Sequence, residues 1–251
     1  MSGRWQVKAF DNFGAPGEGD VFDLGVCDSK EQAIEWAKRH VRESLEEHAH
    51  VAISVADLIS RYHSFGEETV VFSVDTSESA AFSARDHAHR IARDVFQDTH
   101  HTDVDPVLRA AYRDTDYLLE LPEGRAVIRI GQAAPSVDGW LASLGKTSAL
   151  FITAWNPMSQ PLSVEENTAR HELLIKEVRA GGWPFIETVG QSPDGNWSET
   201  SLLVAGIGDF ESQRLARQFE QAGVVWIERG KPASLRIRTT RDTWVEEADL
   251  A

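Results

Sequence analysis

Residues 149–189 read ALFITAW-NPMSQPLS-VEENTARHELLIKEVRA-GG-WPFIETV, where the hyphens separate five segments of different character. The first and last segments are short apolar runs typical of strands, and the long middle segment repeats apolar residues at helical spacing. Ser163 and Glu166 form the pattern of a capping box at the start of the helical segment. The stretch therefore predicts a strand, a helix and a second strand.

The alternation continues beyond this stretch. The sequence predicts a strand over 197–207, a helix over 210–222 and a last strand over 224–228. The resulting order, β-α-β-β-α-β, is the split arrangement called ferredoxin-like, and we expect its helices to cover one face of the sheet and leave the other open. A helix near 107–113 and a hairpin precede it. We predict an α+β domain over 107–240, followed by an acidic, frayed tail over 241–251.

The first part of the chain predicts a second small α+β domain over 1–98, with three strands and three helices. The run Gly14-Ala-Pro-Gly-Glu-Gly19 is typical of a turn or mobile loop. The segment THHTDVDP, residues 99–106, is polar, lacks apolar periodicity and ends in a proline. It predicts a linker between the two domains.

The charge of the chain limits its partners. The 251 residues carry a formal net charge of −15. Residues 1–105 hold 10 basic and 20 acidic side chains, a net charge of −10, and residues 106–251 hold 15 and 20, a net charge of −5. A surface this acidic repels phosphate backbones, which argues against sequence-independent binding of nucleic acid.

Location can be predicted from the same composition. No apolar run approaches the roughly 20 residues that a membrane-spanning helix needs, and no signal-peptide pattern precedes the first strand. Cys27 is the one cysteine, so no disulfide can form within the chain. We expect a cytoplasmic protein with no membrane partner.

The sequence contains no motif that predicts a cofactor. The chain has no Walker loop, dinucleotide-binding glycine fingerprint, zinc-protease helix or nucleophile elbow. Eight of the nine histidines lie before residue 102. The pairs His48/His50 and His87/His89 have i,i+2 spacing, which points the two rings away from each other on a helix. His100-His101 can hold a metal ion adventitiously. We expect neither a cofactor nor a dedicated metal site.

The densest group of polar and aromatic residues lies in the second domain, near the ends of its predicted strands. The candidate binding residues are Trp155, Asn156, Asn167, Arg170, Trp197 and Glu199. Asn167 and His171 fall on the same helix face as Leu174, which is expected to pack on the sheet. Buried polar groups need partners, so these two side chains either bond to strand ends and loop carbonyls or line a pocket.

Three further candidates also have two interpretations. Arg170 either pairs with Glu166 on the helix surface or holds an anion beside the helix N-terminus. Trp197 and Glu199 share one face of their strand, opposite to the apolar face that is expected to meet the helices. On the open face they are either a binding platform or solvated surface.

Several short motifs occur together in the second domain, among them Phe151-Ile-Thr-Ala-Trp-Asn-Pro157, Pro193-Asp-Gly195 and Val224-Val-Trp226. Through them, residues 107–238 resemble a bacterial family described as domain of unknown function 3293. The family brings no activity to carry over, so the resemblance locates a site without naming its chemistry. The chain departs from the family's phenylalanine-glycine-glutamine-asparagine-alanine run, where it has Phe219-Glu-Gln-Ala-Gly223.

A second resemblance concerns the first domain. Through Tyr62-x-x-Phe-Gly66 and Phe82-Ser-Ala84, residues 4–97 resemble a group of short uncharacterised bacterial proteins. This resemblance also implies no activity.

The leading hypothesis is a non-enzymatic binding or regulatory protein that recognises a small ligand or a protein partner through the six candidate residues, with the first domain as an acidic accessory module. The alternative is a hydrolase or transferase acting on a nucleotide or other phosphate-bearing molecule. Arg170 would hold the anion, and Glu199 or Glu166 would be the general base. A further alternative is imitation of nucleic acid by the acidic first domain.

Overall fold

The computed structural model describes residues 3–12, 20–76 and 78–250. The chain divides into two compact units between His101 and Thr102. Each unit combines helices with an antiparallel sheet, so the fold class is α+β, as predicted. The predicted glycine-rich loop over 14–19 lies outside the described residues. Within the described ranges, none of the helices is long and apolar enough to cross a membrane.

The first unit has a three-stranded sheet in the order β2-β1-β3. Its elements are β1 (Trp5–Asp11), β2 (Val21–Cys27), α1 (Lys30–Ala49), α2 (Val55–Phe65), β3 (Glu67–Ser73) and α3 (Ala84–Thr99). Each helix is preceded by a serine whose hydroxyl accepts a hydrogen bond from a backbone N–H of the first turn. Small side chains let α1 approach the sheet closely, since Ala33 and Ala37 pack on Val7 and Val71.

The connection between the units is shorter than the predicted linker. His100 is only 2% exposed. Its ring packs on Phe96 with 4.4 Å between centroids, and its Nε2 lies 2.8 Å from the carbonyl oxygen of Ala49. The assignment of residue 100 to a polar linker is therefore wrong, because its ring packs within the first unit.

The second unit has an eight-stranded sheet in the order β11-β10-β9-β6-β8-β7-β4-β5, with all neighbours antiparallel. Its strands are β4 (Asp116–Leu121), β5 (Gly124–Ile128), β6 (Ser148–Thr153), β7 (Phe185–Gln191), β8 (Ser198–Ala205), β9 (Gly223–Glu228), β10 (Ser234–Arg238) and β11 (Trp244–Glu246). Its α-helices are α4 (Pro106–Asp114), α5 (Pro135–Ser143), α6 (Val164–Ala180) and α7 (Asp209–Gln218). Short 3₁₀ helices span Pro157–Ser159 and Glu247–Leu250. The predicted order β-α-β-β-α-β runs from β6 to β9.

Both faces of the large sheet are covered, so the prediction of an open face is wrong. On one face, Leu202 and Val204 pack with apolar side chains of α6 and α7. On the other, Phe151 and Leu203 pack with Leu141 of α5. The reason is that the central strands carry apolar side chains on both faces, and each apolar face must be removed from water.

The segment after residue 240 is folded, which corrects the prediction of a frayed tail. β11 pairs with β10, and Trp244 is 1% exposed within the core on the α6–α7 face. Glu247 is 3% exposed and forms ion pairs with Arg109 and Arg113 of α4. The acidic composition suggested solvation, but one buried indole and one paired buried carboxylate anchor the segment.

We expect Trp244→Ala to lower the free energy of unfolding of the second unit by about 3–5 kcal/mol, the usual cost of truncating a large buried aromatic side chain. Urea denaturation followed by circular dichroism measures this change. Thr240→Ala, at an exposed position beside the same segment, should change the stability by less than about 0.5 kcal/mol. Similar small effects of both substitutions would contradict the placement of this segment in the core.

Candidate functional site

The predicted site residues come together at one end of the eight-stranded sheet. β6 is antiparallel to both β8 and β9, so the carboxyl end of β6 lies beside the amino ends of its two neighbours. Trp155 and Asn156 follow β6, and Glu199 stands at the start of β8, just after Trp197. The sheet thus joins Asn156 and Glu199, which are 43 positions apart in the sequence.

A cleft of about 400 Å³ opens at this end of the sheet. It lies between α4, the segment after β6 and the turn that joins β7 to β8, and its size is typical of small-molecule sites. Its lining includes the aromatic residues Tyr112, Trp155 and Trp197 and the polar residues Asn156, Glu199 and Gln221. A recess of about 40 Å³ shares Tyr112, Trp197 and Glu199 with the cleft and extends towards Phe151.

Glu199 is the most unusual group in the cleft. It is 9% exposed, and burial raises the pKa of its carboxyl although a hydrogen bond from Asn156 acts in the opposite direction. The amide nitrogen of Asn156 donates to Oε1 at 2.5 Å. Oε2 accepts no hydrogen bond from the residues that the structure describes, so one carboxylate oxygen is available to a ligand.

Asn156 is the hydrogen-bonding centre of the site. Its Oδ1 accepts from the backbone N–H of Leu162 at 3.0 Å and from the amide of Asn167 at 2.9 Å. Its backbone N–H donates to Oδ1 of Asn167 at 2.8 Å, while its amide holds Glu199. The side chain therefore fixes the position of the carboxylate relative to α6 and to the loop before it.

The backbone around Asn156 is strained. Asn156, Met158 and Ser159 have φ angles of 47°, 48° and 59°, in the left-handed region that non-glycine residues seldom occupy. Asparagine tolerates this conformation better than methionine does. Strain of this kind persists only where surrounding contacts fix the backbone, and it is concentrated at functional sites in proteins. The hydrogen bonds of Asn156 supply such contacts here.

Asn167 and Arg170 lie behind the cleft and do not line it. Asn167 is 2% exposed and is bonded to Asn156 and to the carbonyl oxygen of Leu162. Arg170 donates to the carbonyl oxygens of Ala154 at 2.8 Å and Phe219 at 2.7 Å. Of the six predicted residues, four line the cleft, and these two hold its walls.

His171 neither bonds to strand ends or loop carbonyls nor lines the cleft. It is 8% exposed, and its two ring nitrogens make no hydrogen bond within the described part of the chain. Burial lowers the pKa of the imidazole, which favours its neutral form. The ring is buried on α6 and does not line the cleft.

Tyr112 and Gln221 are among the lining residues that were not predicted. The Tyr112 ring packs over Gly223, where a Cβ atom would lie 3.0 Å from the ring, and its hydroxyl lies 3.4 Å from Oγ of Ser159. Gln221 donates to the carbonyl oxygens of Trp155 and Phe219. Gln221 stands in the run where the chain departs from the resembled family, and this run could have suggested it. Tyr112 had no signal, because α4 is distant in sequence from the other candidates.

The glutamate in that same run also has a structural consequence. Glu220 follows α7 with a φ of 53°, a conformation that favours glycine. Its carboxylate lies 3.5 Å from Arg170, and its carbonyl oxygen accepts a hydrogen bond from Met158. Glu220 stands where the resembled family has glycine. The turn after α7 is therefore kept, but the backbone of Glu220 is strained.

The charge of the cleft has one sign. Among the described residues that line it, the two charged side chains are Glu199 and Asp114, and none is basic. The part of the chain that the structure describes also holds no group of three or more His, Cys, Asp or Glu side chains placed to bind a metal ion. The cleft is thus an acidic, aromatic-walled site.

A second depression, of about 530 Å³, lies over β4, β5 and β7. It is larger than the cleft, but no aromatic residue lines it among the described residues. Its charged residues Glu120, Arg125 and Glu187 are all exposed, and the first two pair with each other at 2.6 Å. It therefore presents no unmatched buried charge of the kind that Glu199 provides.

The comparisons with known proteins concern this same region. A family model described as "Protein of unknown function (DUF3293)" matches residues 152–224. No curated protein and no solved structure matches the chain. The matched segment runs from β6 to the start of β9 and contains all six predicted site residues. The chain is therefore similar to that family over the segment that builds most of the cleft.

Proposed function

We propose that the protein is a non-enzymatic binding or regulatory protein that holds a small molecule in the cleft of its second unit. Glu199 carries the proposal. Its carboxylate is buried, fixed through one oxygen by Asn156, and open through the other to a cavity with aromatic walls. Burying a carboxylate without a positive partner costs free energy, so its retention is better explained by a ligand than by stability.

The site is formed before a ligand arrives. The hydrogen bonds among Asn156, Asn167 and Leu162, together with the two carbonyl contacts of Arg170, fix the loop that bears Trp155. A pre-organised wall spares a ligand the entropy cost of ordering it. We assign Trp155, Asn156, Trp197 and Glu199 to ligand contact, and Asn167 and Arg170 to support.

The phosphate-directed hydrolase or transferase draws no support from this geometry. The guanidinium of Arg170 bonds two backbone carbonyls behind the cleft, and the described lining has no basic group to hold a phosphate.

An enzyme that uses Glu199 as acid or base is a second candidate, because burial raises the pKa of this carboxyl. That candidate requires conversion of a bound ligand, and the leading proposal requires none.

We also propose three finer assignments. The strand order β9-β6-β8-β7, joined by α6 and α7, supports a ferredoxin-like core in the second unit. The single cysteine, which can form no disulfide within the chain, supports a cytoplasmic location, and the resemblance to a bacterial family supports a bacterial origin. The net charge of −10 over residues 1–105 supports an acidic accessory role for the first unit, without binding to nucleic acid.

Glu199→Gln should stabilise the second unit at pH 8 and have little effect at pH 4. Burial raises the pKa of Glu199 above its ordinary value of 4.5, so the folded protein retains a proton that the unfolded chain loses as the pH rises. The wild type therefore loses stability from about the unfolded pKa up through the folded pKa, and the glutamine variant does not. Urea denaturation at pH 4, 6 and 8 measures the difference.

The matched control for this experiment is Glu187→Gln, which removes an exposed carboxylate from the neighbouring strand β7. Because its carboxylate is exposed, its difference in stability from wild type should vary with pH less than that of Glu199→Gln. If Glu199→Gln and wild type differ by the same amount at all three pH values, the buried carboxylate ionises as easily in the folded protein as in the unfolded chain, and the electrostatic description of the site is wrong.

Ligand binding should perturb Trp155 and Trp197 selectively among the eight tryptophans. The indole N–H signals of both residues can be assigned in ¹⁵N NMR spectra with Trp155→Phe and Trp197→Phe, and titrated with a panel of cationic, neutral and anionic aromatic fragments. Trp197 is 42% exposed. Trp197→Ala should therefore weaken binding by about tenfold, a loss typical of an aromatic contact, with little change in thermal stability.

The titration with the fragment panel can also contradict the proposal. If no fragment of any charge produces a saturable shift of the Trp155 and Trp197 signals, the cleft is not a small-molecule site and the proposal fails. If a fragment binds and is chemically converted by wild type but not by Glu199→Gln, the second candidate replaces the first.

A further inference from the structure

Glu199 lacks the partner that a buried carboxylate normally has. In proteins, buried charges are paired with an opposite charge or coordinate a metal. The group that bonds Glu199 is the neutral amide of Asn156, and no arginine, lysine or histidine lines the cleft within the described chain. Burial raises the pKa of this carboxyl and the hydrogen bond from Asn156 lowers it, and no nearby cation contributes. A ligand that carries a positive charge would supply the partner that the described lining of the cleft lacks.

The walls of the cleft favour the same charge. Tyr112, Trp155 and Trp197 line it, and the faces of aromatic rings attract cations through their quadrupoles. Asp114 adds a second negative charge to the lining. An anion would meet two carboxylates and no basic group, so electrostatics exclude it from tight binding.

The size of the cleft decides between a metal ion and an organic cation. A metal needs several oxygen, nitrogen or sulfur ligands at close range, and the described residues hold no group of three or more suitable side chains. The volume of about 400 Å³ and the largely aromatic and aliphatic lining call for a ligand with a carbon framework. Oε2 of Glu199 accepts hydrogen bonds, so the cation should carry N–H groups.

We propose that the cleft binds an organic cation, a protonated amine or a guanidinium or amidinium group, which donates an N–H to Oε2 of Glu199 and lies against the aromatic walls. This inference rests on the proposed function and names the chemical class of its ligand. A charge-assisted hydrogen bond to a buried carboxylate is stronger than a bond between neutral groups, and it gives the site its selectivity.

The experiment uses ligands matched in shape and different in charge. Benzamidinium, benzamide and benzoate form one such set, and phenethylammonium, 2-phenylethanol and phenylacetate form another. Each is titrated into the full-length protein at pH 8 and physiological ionic strength, with the Trp155 and Trp197 indole signals as the readout. We expect each cation to bind at least about tenfold more tightly than its neutral and anionic counterparts, as a hydrogen bond to a charged group requires.

Glu199→Gln tests whether the carboxylate is responsible. The amide keeps the shape and can still accept the hydrogen bond from Asn156, so the fold of the cleft is preserved. We expect this variant to bind the cations about tenfold more weakly, with unchanged affinity for benzamide and 2-phenylethanol. Glu187→Gln removes one exposed negative charge from the same sheet. It should leave cation affinity unchanged, which separates a specific site from general attraction to an acidic protein.

Two outcomes would overturn the inference and leave the proposed function standing. One is that neutral or anionic compounds shift the Trp155 and Trp197 signals at concentrations equal to or lower than the matched cations. The other is that cations bind equally well to wild type and Glu199→Gln. If no compound in either set, or in the wider panel, shifts these signals, both the inference and the proposed function fail.

Discussion

Asn156 uses all the polar atoms of its side chain at once. The amide nitrogen holds the carboxylate of Glu199, and the amide oxygen accepts from Leu162 and Asn167. Because one side chain makes all these contacts, the position of Glu199 on β8, the loop after β6 and the start of α6 depend on one another. The left-handed backbone of Asn156 is tolerated because these bonds fix it, and it aims the side chain back across the sheet.

The rest of the second unit supports this one arrangement. A capping box of Ser163 and Glu166 fixes the first turn of α6, from which Asn167 reaches the loop. Three residues later, Arg170 connects α6 to the ends of β6 and α7 through backbone carbonyl oxygens. The antiparallel order of β9, β6 and β8 then brings the relevant strand ends to one side of the sheet. Hydrogen bonds to the backbone thus position the wall, and the side chains that face the cleft are left available.

The sequence predicted what depends on local periodicity and missed what depends on distant packing. The α+β class, the element order from β6 to β9 and the capping box at Ser163 follow from short patterns. The covered second face of the sheet was missed, because α5 is only 9 residues long, too short for the spacing of Val137, Trp140 and Leu141 to predict a helix. Trp244 was missed because the acidic residues around it dominate the composition of its segment. Tyr112 joins the cleft through the packing of α4 over Gly223, a contact between residues that no local pattern relates.

The charge of the whole chain and the charge of the cleft act together. A net charge of −15 draws cations towards the surface and repels anions, but salt screens this attraction and it distinguishes poorly between cations. Glu199 is buried, so its field is screened far less, and Asn156 fixes the direction in which it can accept a hydrogen bond. In the proposed cation site, the surface would concentrate a cation near the protein, while the aromatic walls and the one available carboxylate oxygen would select which cation enters. The same burial that makes Glu199 costly to the fold would make the site selective.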